Sequence, residues 1–518
     1  MRILTIDAGT TRTKAAVYDD GLSRLSFASR PTRAVGGGGG VNPELLFEDV
    51  TAAVREVVNR AHIDAVAVTA ILGWVFLGRD GRLLGPGRAW SDRRAAAEAE
   101  ELDRAFESAG VDPGRPVTPE LLAPQLLYLQ RREPEFYRKI HRVAGLKDYL
   151  VHELTGIWST DYSHDDYSLR DLGGAFQPAR ELLQEDLLPE AVAAWQIVGE
   201  ISGDGSRLTG LERGIPVVAG SSDGTAAMYG AGILSGSVLS MVTGTTDVVM
   251  RAVRLTGDRR SDEGRMPRAE GLSVNRAIVS GTYLVGGSTG GSGSSLAWWR
   301  TIAPAGGLSG NAPTGQSSPA WESVDPGAGG LMVAPGFSGE RAPFPGVSAG
   351  GAITGLTAAH TAAHIERAIV EANAFRLAVL AEMVAGAAAD GDSADTSDVV
   401  SNVGPAGTPP FEILLGGGSS RVTVNGIRAA VLPYPVRLLS DPELSLVGCA
   451  MFGIAALAGK GGTTGSAAPV SRAEARLREL AGLVRSQAQP LSVNPGMKDR
   501  YRPVYACWRA WIRWYYRY

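Results

Sequence analysis

Cysteine is nearly absent: Cys449 and Cys507 are the only two in 518 residues, which excludes a disulfide scaffold and suits a reducing compartment. An excess of positive charge is missing too. Lys and Arg number 50 against 54 Asp and Glu, and with a pI near 6.0 no basic field exists to gather nucleic acid or an anionic membrane. The longest apolar stretch, Val447 to Ala458, is about a dozen residues and too short to span a bilayer. The opening Met1-Arg-Ile-Leu-Thr-Ile-Asp7 has no apolar core of secretory-leader length. Glycine (67) and proline (29) together stay under a fifth of the chain, below the level of low-complexity disorder. A globular, cytoplasmic protein of two to four domains is the expectation, at roughly 100–200 residues per domain, without nucleic-acid or membrane partners.

What is present is a repeated local pattern. Ile3–Ile6 is β-prone, Asp7-Ala-Gly-Thr-Thr-Arg12 is turn-rich, and Ala15–Tyr18 is apolar again. The same order recurs as Leu239–Val242, Gly244-Thr-Thr-Asp247 and Val248–Met250, as a duplicated two-lobed protein would show. The lobe boundary falls near residues 233–237. Helical periodicity predicts helices over Pro43–Ala61, Arg93–Phe106, Leu121–Arg132, Thr361–Val384 and Leu444–Leu457, and strands over Ala65–Thr69, Trp74–Leu77 and Ile413–Leu415. Segments 36–40, 303–330 and 386–410 read as loops, the last two long and rich in Gly, Ser, Pro and Asp. Short strands mixed with helices give an α/β or α+β class.

Several segments have residue types suited to chemistry. A glycine lets backbone approach a phosphate, and successive N–H groups with threonine hydroxyls donate to its oxygens. Gly9, Thr10 and Thr11 in one turn, Gly244 and Thr245 in the other, and Gly417, Gly418 and Ser420 after a third strand fit nucleotide binding. Asp7 suits Mg²⁺ held through water, and Lys14 adds a compact cation. Read singly, each Gly-Thr-Thr is also an ordinary hairpin turn. Asp223, after an apolar strand and before a small-residue helix, reads either as a general base or as a helix N-cap. Gly220-Ser-Ser-Asp-Gly224 also fits a G-x-S-x-G nucleophile elbow with Ser222 and a downstream His360 or His364, although that reading leaves the paired turns unexplained. His360 and His364 lack the Glu of H-E-x-x-H. The tail from Trp508 to Tyr518 carries six aromatics and three arginines; Trp508, Trp511, Ile512, Tyr515 and Tyr518 share helical spacing and dock on the body or on another subunit, which leaves a homodimer open.

Taken in order, these motifs make the chain resemble the FGGY carbohydrate kinases of the actin, Hsp70 and hexokinase-like ATPase superfamily. Asp7 to Lys14 is similar to the family's first phosphate hairpin, and Trp90-Ser-Asp-Arg93 to its sugar-side Trp-Asn-Asp-x-Arg element, one residue shorter. Leu146-Lys-Asp-Tyr-Leu150, Thr160-Asp-Tyr-Ser163, the segment from Gly214 to Gly232, and Gly339-Glu-Arg-Ala-Pro343 resemble family motifs. So do the run from Gly351 to Glu371, Gly416-Gly-Gly-Ser-Ser420 and Pro442-Glu-Leu-Ser-Leu-Val-Gly448. The resemblance implies two ribonuclease-H-like lobes, each a mixed sheet flanked by helices, with the active site between them. Residues 1–235 would form the sugar-side lobe and 236–518 the ATP-side lobe with the aromatic tail.

It further implies ATP-dependent phosphorylation of a sugar or polyol hydroxyl. Asp223 would be the base and Asp7 the Mg²⁺ residue, with phosphates and adenosine on the glycine turns named above. Trp90, Asp92, Gln125, Ile71 and Leu72 would face the sugar. Xylulose-type relatives carry Gln-Met-His and glycerol-type relatives Gln-Arg-Glu where this chain has Ala70-Ile-Leu-Gly-Trp74, so that wall is expected to be apolar. Gln125 and Tyr128 stand where the family signature has Lys and Trp, and Asp165 and Asp166 where many relatives have small residues. A less hydroxylated sugar, a sugar acid or a cyclitol fits such a wall. A catalytically silent ATP- or sugar-binding regulator is the alternative of another class.

Overall fold

The computed structural model describes residues 1–58, 62–111, 113, 115–169, 186–235, 237–254, 271–303, 320–337, 339–344, 350–387, 411–418, 422–460 and 469–517. Strands β1 (Arg2–Ala8), β2 (Arg12–Asp19) and β3 (Arg24–Pro31) form an antiparallel meander. Helix α1 (Pro43–Val57) follows, capped by the Asn42 side chain accepting from Leu45 N–H at 3.0 Å and started by Pro43. Its buried stripe of Leu46, Phe47, Val50, Ala53, Val54 and Val57 covers one face of the sheet. The chain then returns as β4 (Ala65–Ala70), parallel to β1. After helix α2 (Leu146–Thr155), β5 (Ile197–Glu200) and β6 (Pro216–Val218) complete the order β5-β6-β4-β1-β2-β3.

The second sheet repeats this plan. Helix α3 (Asp223–Gly230) leads into β7 (Val238–Thr243) and β8 (Asp247–Arg254), and then β9 (Ser273–Arg276) and β10 (Thr282–Ser288). Helix α4 (Ala362–Gly386) precedes β11 (Glu412–Gly417) and β12 (Val436–Leu438), and β13 (Gln489–Pro490) closes the order β9-β10-β8-β7-β11-β12-β13. With β9 set aside, the six remaining strands match those of the first sheet in order and in every parallel or antiparallel sense. Duplication therefore extends well beyond the two Gly-Thr-Thr turns, which become the β1–β2 and β7–β8 hairpins.

Helix α5 (Leu444–Lys460) comes late in the chain but packs on α3, β1 and β4, and α6 (Pro469–Gln487) backs it. Leu446, Met451, Phe452 and Ile454 of α5 share one core with Ile3, Tyr18, Ala65, Ala67 and Val218. Helices α3 and α5 cross closely: a Cβ on Gly448 would sit 1.9 Å from the Ala226 carbonyl oxygen, so only glycine permits the approach. Leu377, Leu380, Ala381 and Val384 of α4 cover the opposite face of the second sheet, against Leu239, Met241, Val249, Ile413 and Leu415.

The elements differ from expectation where side chains rewire the backbone. The helix expected from Arg93 begins at Ala96, because the Asp92 carboxylate accepts the Arg94 N–H at 3.0 Å and holds a turn there. The helix expected to reach Ala61 ends at Val57, and residues 59–61 lie outside the described residues, as do most of the loops expected at 303–330 and 386–410. The tail forms helix α7 (Pro495–Tyr516), which buries Tyr501, Trp508, Ile512 and Tyr516 against the second lobe. Trp511 and Tyr515 stack at the edge of that contact, while Tyr518 is outside the described residues. The tail thus docks on the body of its own chain.

Candidate active site

Alternation along β1 sends Leu4, Ile6 and Ala8 to the α1 face and Ile3, Thr5 and Asp7 to the face shared with α5. Asp7, the last of that second set, emerges where the strand meets the cleft between the sheets. Ser445 Oγ at the start of α5 donates to Asp7 Oδ2 at 2.7 Å. Lys14, directly opposite Asp7 in the β1–β2 register, places Nζ 3.9 Å from the same oxygen and 2.6 Å from Glu443 Oε2. Burial raises the Asp7 pKa against the pull of Lys14 and Ser445. Asp7 Oδ1 is buried without a hydrogen-bond partner, the condition a hydrated cation relieves.

Asp223 opens α3, directly after Ser221–Ser222 pairs with the end of β4. Its Oδ1 accepts the Gly224 N–H at 2.7 Å, and the residue is part-exposed to the cleft. Burial first, then the charge of Asp7, pushes its pKa up from 3.8 to about 7, opposed by the N–H at the helix start and by Lys14. A buried cluster fixes the segment leading to it. Lys147 Nζ donates to the Ala219 carbonyl at 2.8 Å while paired with Asp148 at 2.6 Å and Asp161 at 3.3 Å.

The two hairpin turns meet across a cleft of about 530 Å³. Asp7, Thr10, Lys14 and Asp223 line it from the first lobe, and Gly244, Thr245, Gly417 and Gly418 from the second. The Thr245 carbonyl accepts the Ser292 N–H at 3.0 Å, bracing the second turn. Trp90 and Leu72 line it too, with Trp90 Nε1 at 3.4 Å from Thr10 Oγ1 of the first turn. Gly9 and Thr11 belong to the first turn but stand outside the lining, Thr11 exposed at the tip. Ser420 lies outside the described residues.

Three expected sugar-side residues do not reach the cleft. Ile71 is fully buried in the core beneath α1, because alternation turns it inward where Leu72 turns outward. Asp92 is fully buried and engaged by both Nε and Nη2 of Arg94. Gln125 is 1% exposed, accepting from Arg88 Nη1 at 2.9 Å and donating to the Pro119 carbonyl at 2.6 Å. The wall expected to be apolar is polar beyond Leu72: Glu120, Ser163, Tyr167, Asn275, Arg276 and Arg341 line it. Sequence reasoning missed Glu120, Ser445 and Glu443 as site residues; Pro442-Glu-Leu-Ser445 was visible as a motif, but nothing in it pointed to Asp7. Among the described residues no histidine lines the cleft, and His360 and His364 bond instead to Thr357 and Thr361, which leaves the nucleophile-elbow reading of Ser222 without a base there.

Comparison with known proteins bears on the family and the fold. The N-terminal domain of the FGGY family of carbohydrate kinases matches residues 2–230, and the C-terminal domain of the same family matches residues 239–457. The chain is 27% identical to the xylulose kinase of Escherichia coli over 351 residues, 65% of this chain and 68% of that one. It is 26% identical to the L-fuculokinase of the same organism over 419 residues, 79% of this chain and 80% of that one. The xylulose kinase structure from Rhodospirillum rubrum superposes with a TM-score of 0.74 at 26% identity, covering 100% of both chains. The gluconate kinase structure from Lactobacillus acidophilus shares the fold with a TM-score of 0.76 at 19% identity, covering 99% of this chain and 97% of that one. Among the described residues no helix is long and apolar enough to cross a membrane. The chain belongs to the FGGY family of carbohydrate kinases and is an ATP-dependent sugar kinase.

Proposed function

We propose that the chain moves the terminal phosphoryl group of ATP to a hydroxyl of a sugar or polyol, with Asp223 as general base. The observation that carries this reading is the convergence of both Gly-Thr-Thr hairpins, Asp7 and Asp223 on one cleft, although they come from two separate sheets. Phosphoryl transfer needs mainly positioning and charge neutralisation. Backbone N–H groups and hydroxyls at Thr10 and Thr245 suit the phosphate oxygens, Gly244, whose own N–H donates to Asp247 Oδ1 at 3.2 Å, lets the second turn approach them, and Gly417 and Gly418 suit the adenosine side.

The orphaned Oδ1 of Asp7 fits Mg²⁺ held through water, with Ser445 keeping the other oxygen in place. That ion, when bound, neutralises charge on the phosphates. Lys14, already paired with two carboxylates, is within the same cleft to add a cation. The attacking hydroxyl forms the new P–O bond as the bond to ADP breaks, and its proton passes to an Asp223 oxygen. A base with a pKa of about 7 is suited to that transfer near neutral pH.

The test is coupled ADP release with Mg·ATP over ketoses, aldoses, alditols, sugar acids and cyclitols, with Asp223→Ala alongside. Turnover of one class should fall by about 10³-fold or more in the variant while ATP affinity holds. Full activity of Asp223→Ala refutes the role given to Asp223.

A further inference from the structure

Glu120 stands in the wall of the cleft with its hydrogen-bonding capacity unspent. It is 8% exposed and lines the cleft, and its backbone carbonyl is pinned by the Trp74 indole N–H at 2.9 Å. Its Oε2 has no hydrogen-bond partner. Its two cations stand off: Arg93 Nη1 is 3.7 Å from Oε2 and Arg341 Nη2 is 3.6 Å from Oε1, both beyond hydrogen-bonding distance. A buried carboxylate is costly to leave without donors, so the site is built to receive them. Glu120 comes from the first lobe and Arg341 from the second, so a bound molecule touching both is gripped from both sides.

The charges lining the cleft define what the molecule can be. The cations lining the cleft among the described residues are Lys14, Arg276 and Arg341, and each already has a carboxylate within 4.0 Å. Arg276 is held by Asp166 at 2.6 Å and by Asp165 at 3.0 Å. Asp165 and Asp166, which sequence reading flagged but gave no role, thus hold Arg276 at the cleft wall. A carboxylate on the substrate would meet the charge of Glu120, would find Arg276 already hydrogen-bonded to two carboxylates, and could approach Arg341 only beside Glu120, 3.6 Å from it.

We propose that Glu120 and Arg341 together read two neighbouring hydroxyls of a neutral polyol or sugar, Glu120 accepting from one and Arg341 donating to the other, and that this pair excludes sugar acids. The inference rests on the cleft being the kinase site described above. It narrows the substrate class and replaces the expectation of a sugar acid.

Matched pairs that differ at one carbon test it: D-glucitol against D-gluconate, and xylitol against D-xylonate, with D-xylulose, glycerol and myo-inositol as further neutral compounds. Wild-type enzyme should favour the neutral member of a pair by about 100-fold or more in kcat/KM. Glu120→Gln should lower kcat/KM for the neutral compound by about 10–100-fold, mainly through KM, and leave the KM for ATP within about twofold. The neutral-to-acid ratio should narrow by about tenfold, because Arg341 and Arg93 then lose their carboxylate. Arg341→Gln reads the same pair from the other lobe if Glu120→Gln does not fold; it should also weaken the neutral compound but widen the ratio.

A wild-type preference for the acids, or a ratio unchanged within about twofold in Glu120→Gln (in Arg341→Gln, where that variant is the one that folds), overturns the inference. Full turnover by Asp223→Ala, with the Glu120 effects intact, refutes the base and leaves Glu120 standing. Should wild-type enzyme turn over none of these compounds, thermal shifts with Mg·ADP and the same pairs decide. Stabilisation by a neutral member that is lost in Glu120→Gln supports the inference, and equal or absent shifts in both proteins overturn it.

Discussion

Burial and the neighbouring Asp7 hold the Asp223 carboxyl at about 7 in the folded chain, against an ordinary 3.8. Below about pH 4 the group is protonated whether the chain is folded or not and costs nothing. Between there and about 7 the unfolded chain ionises first, so stability is lost as pH rises through the folded value. Asp223→Asn cannot ionise and should therefore be more stable than wild type at pH 8, with the gain shrinking towards pH 4. The full difference corresponds to about 4 kcal/mol at 1.36 per pH unit, and the solvent reaching the carboxyl from the cleft reduces it to about 1–2 kcal/mol. Thermal melts of both proteins across that range check the sign, and an equal melting temperature throughout contradicts it. The same titration should shape activity: kcat/KM falls tenfold per pH unit below about 7. Lys14→Met removes a cation that lowers the Asp223 pKa, so the acid limb of its residual activity should move to higher pH. A limb that stays in place means another group is being titrated.

Helices α3 and α5 meet so closely that their crossing sets where Asp223 stands. Gly448→Ala would drive a Cβ to 1.9 Å from the Ala226 carbonyl, and neither backbone can yield locally. The helices must separate, at about 3 kcal/mol or more, and α3 carries Asp223 with it. The variant should melt several degrees lower and lose kcat even well below its melting temperature; unchanged kcat would mean that α3 is held by other contacts. At this scale the sequence was readable where periodicity governs. The Gly-Thr-Thr turns, α1 and α4 follow from local patterns, and Asp7 with Lys14 follow from the first hairpin. Contacts made by distant residues carry no local sign. Ser445 reaches Asp7 across 438 residues of chain, and Lys14 reaches Glu443 across 429. Asp92 and Gln125 are polar residues in motif positions, yet Arg94 and Arg88 occupy them, and only tertiary packing could reveal that.

The repeated turns suggest cutting the molecule near residue 235, and the strand orders of the two sheets agree with two equivalent halves. Chain order conceals one crossing of that line. Helix α5 lies beyond it, yet its apolar face is packed on the first sheet through Ile3, Ala65, Ala67 and Val218. Burying Leu446, Val447, Met451, Phe452 and Ile454 there stabilises by about 1.5–3 kcal/mol for each side chain. Their sum, about 8–15 kcal/mol, matches the whole stability of an ordinary domain. Residues 1–235 expressed alone would expose that face of the sheet and the facing side of α3. The fragment should bind a hydrophobic dye and melt without a cooperative transition, and co-expression with residues 236–518 should restore both solubility and a sharp melt. A fragment that melts cooperatively by itself would show that the first sheet needs no helix from the second half. In the intact chain the same contact ties Ser445 and Glu443 to Asp7 and Lys14, so the helix that completes the first lobe also assembles the cleft around Asp7.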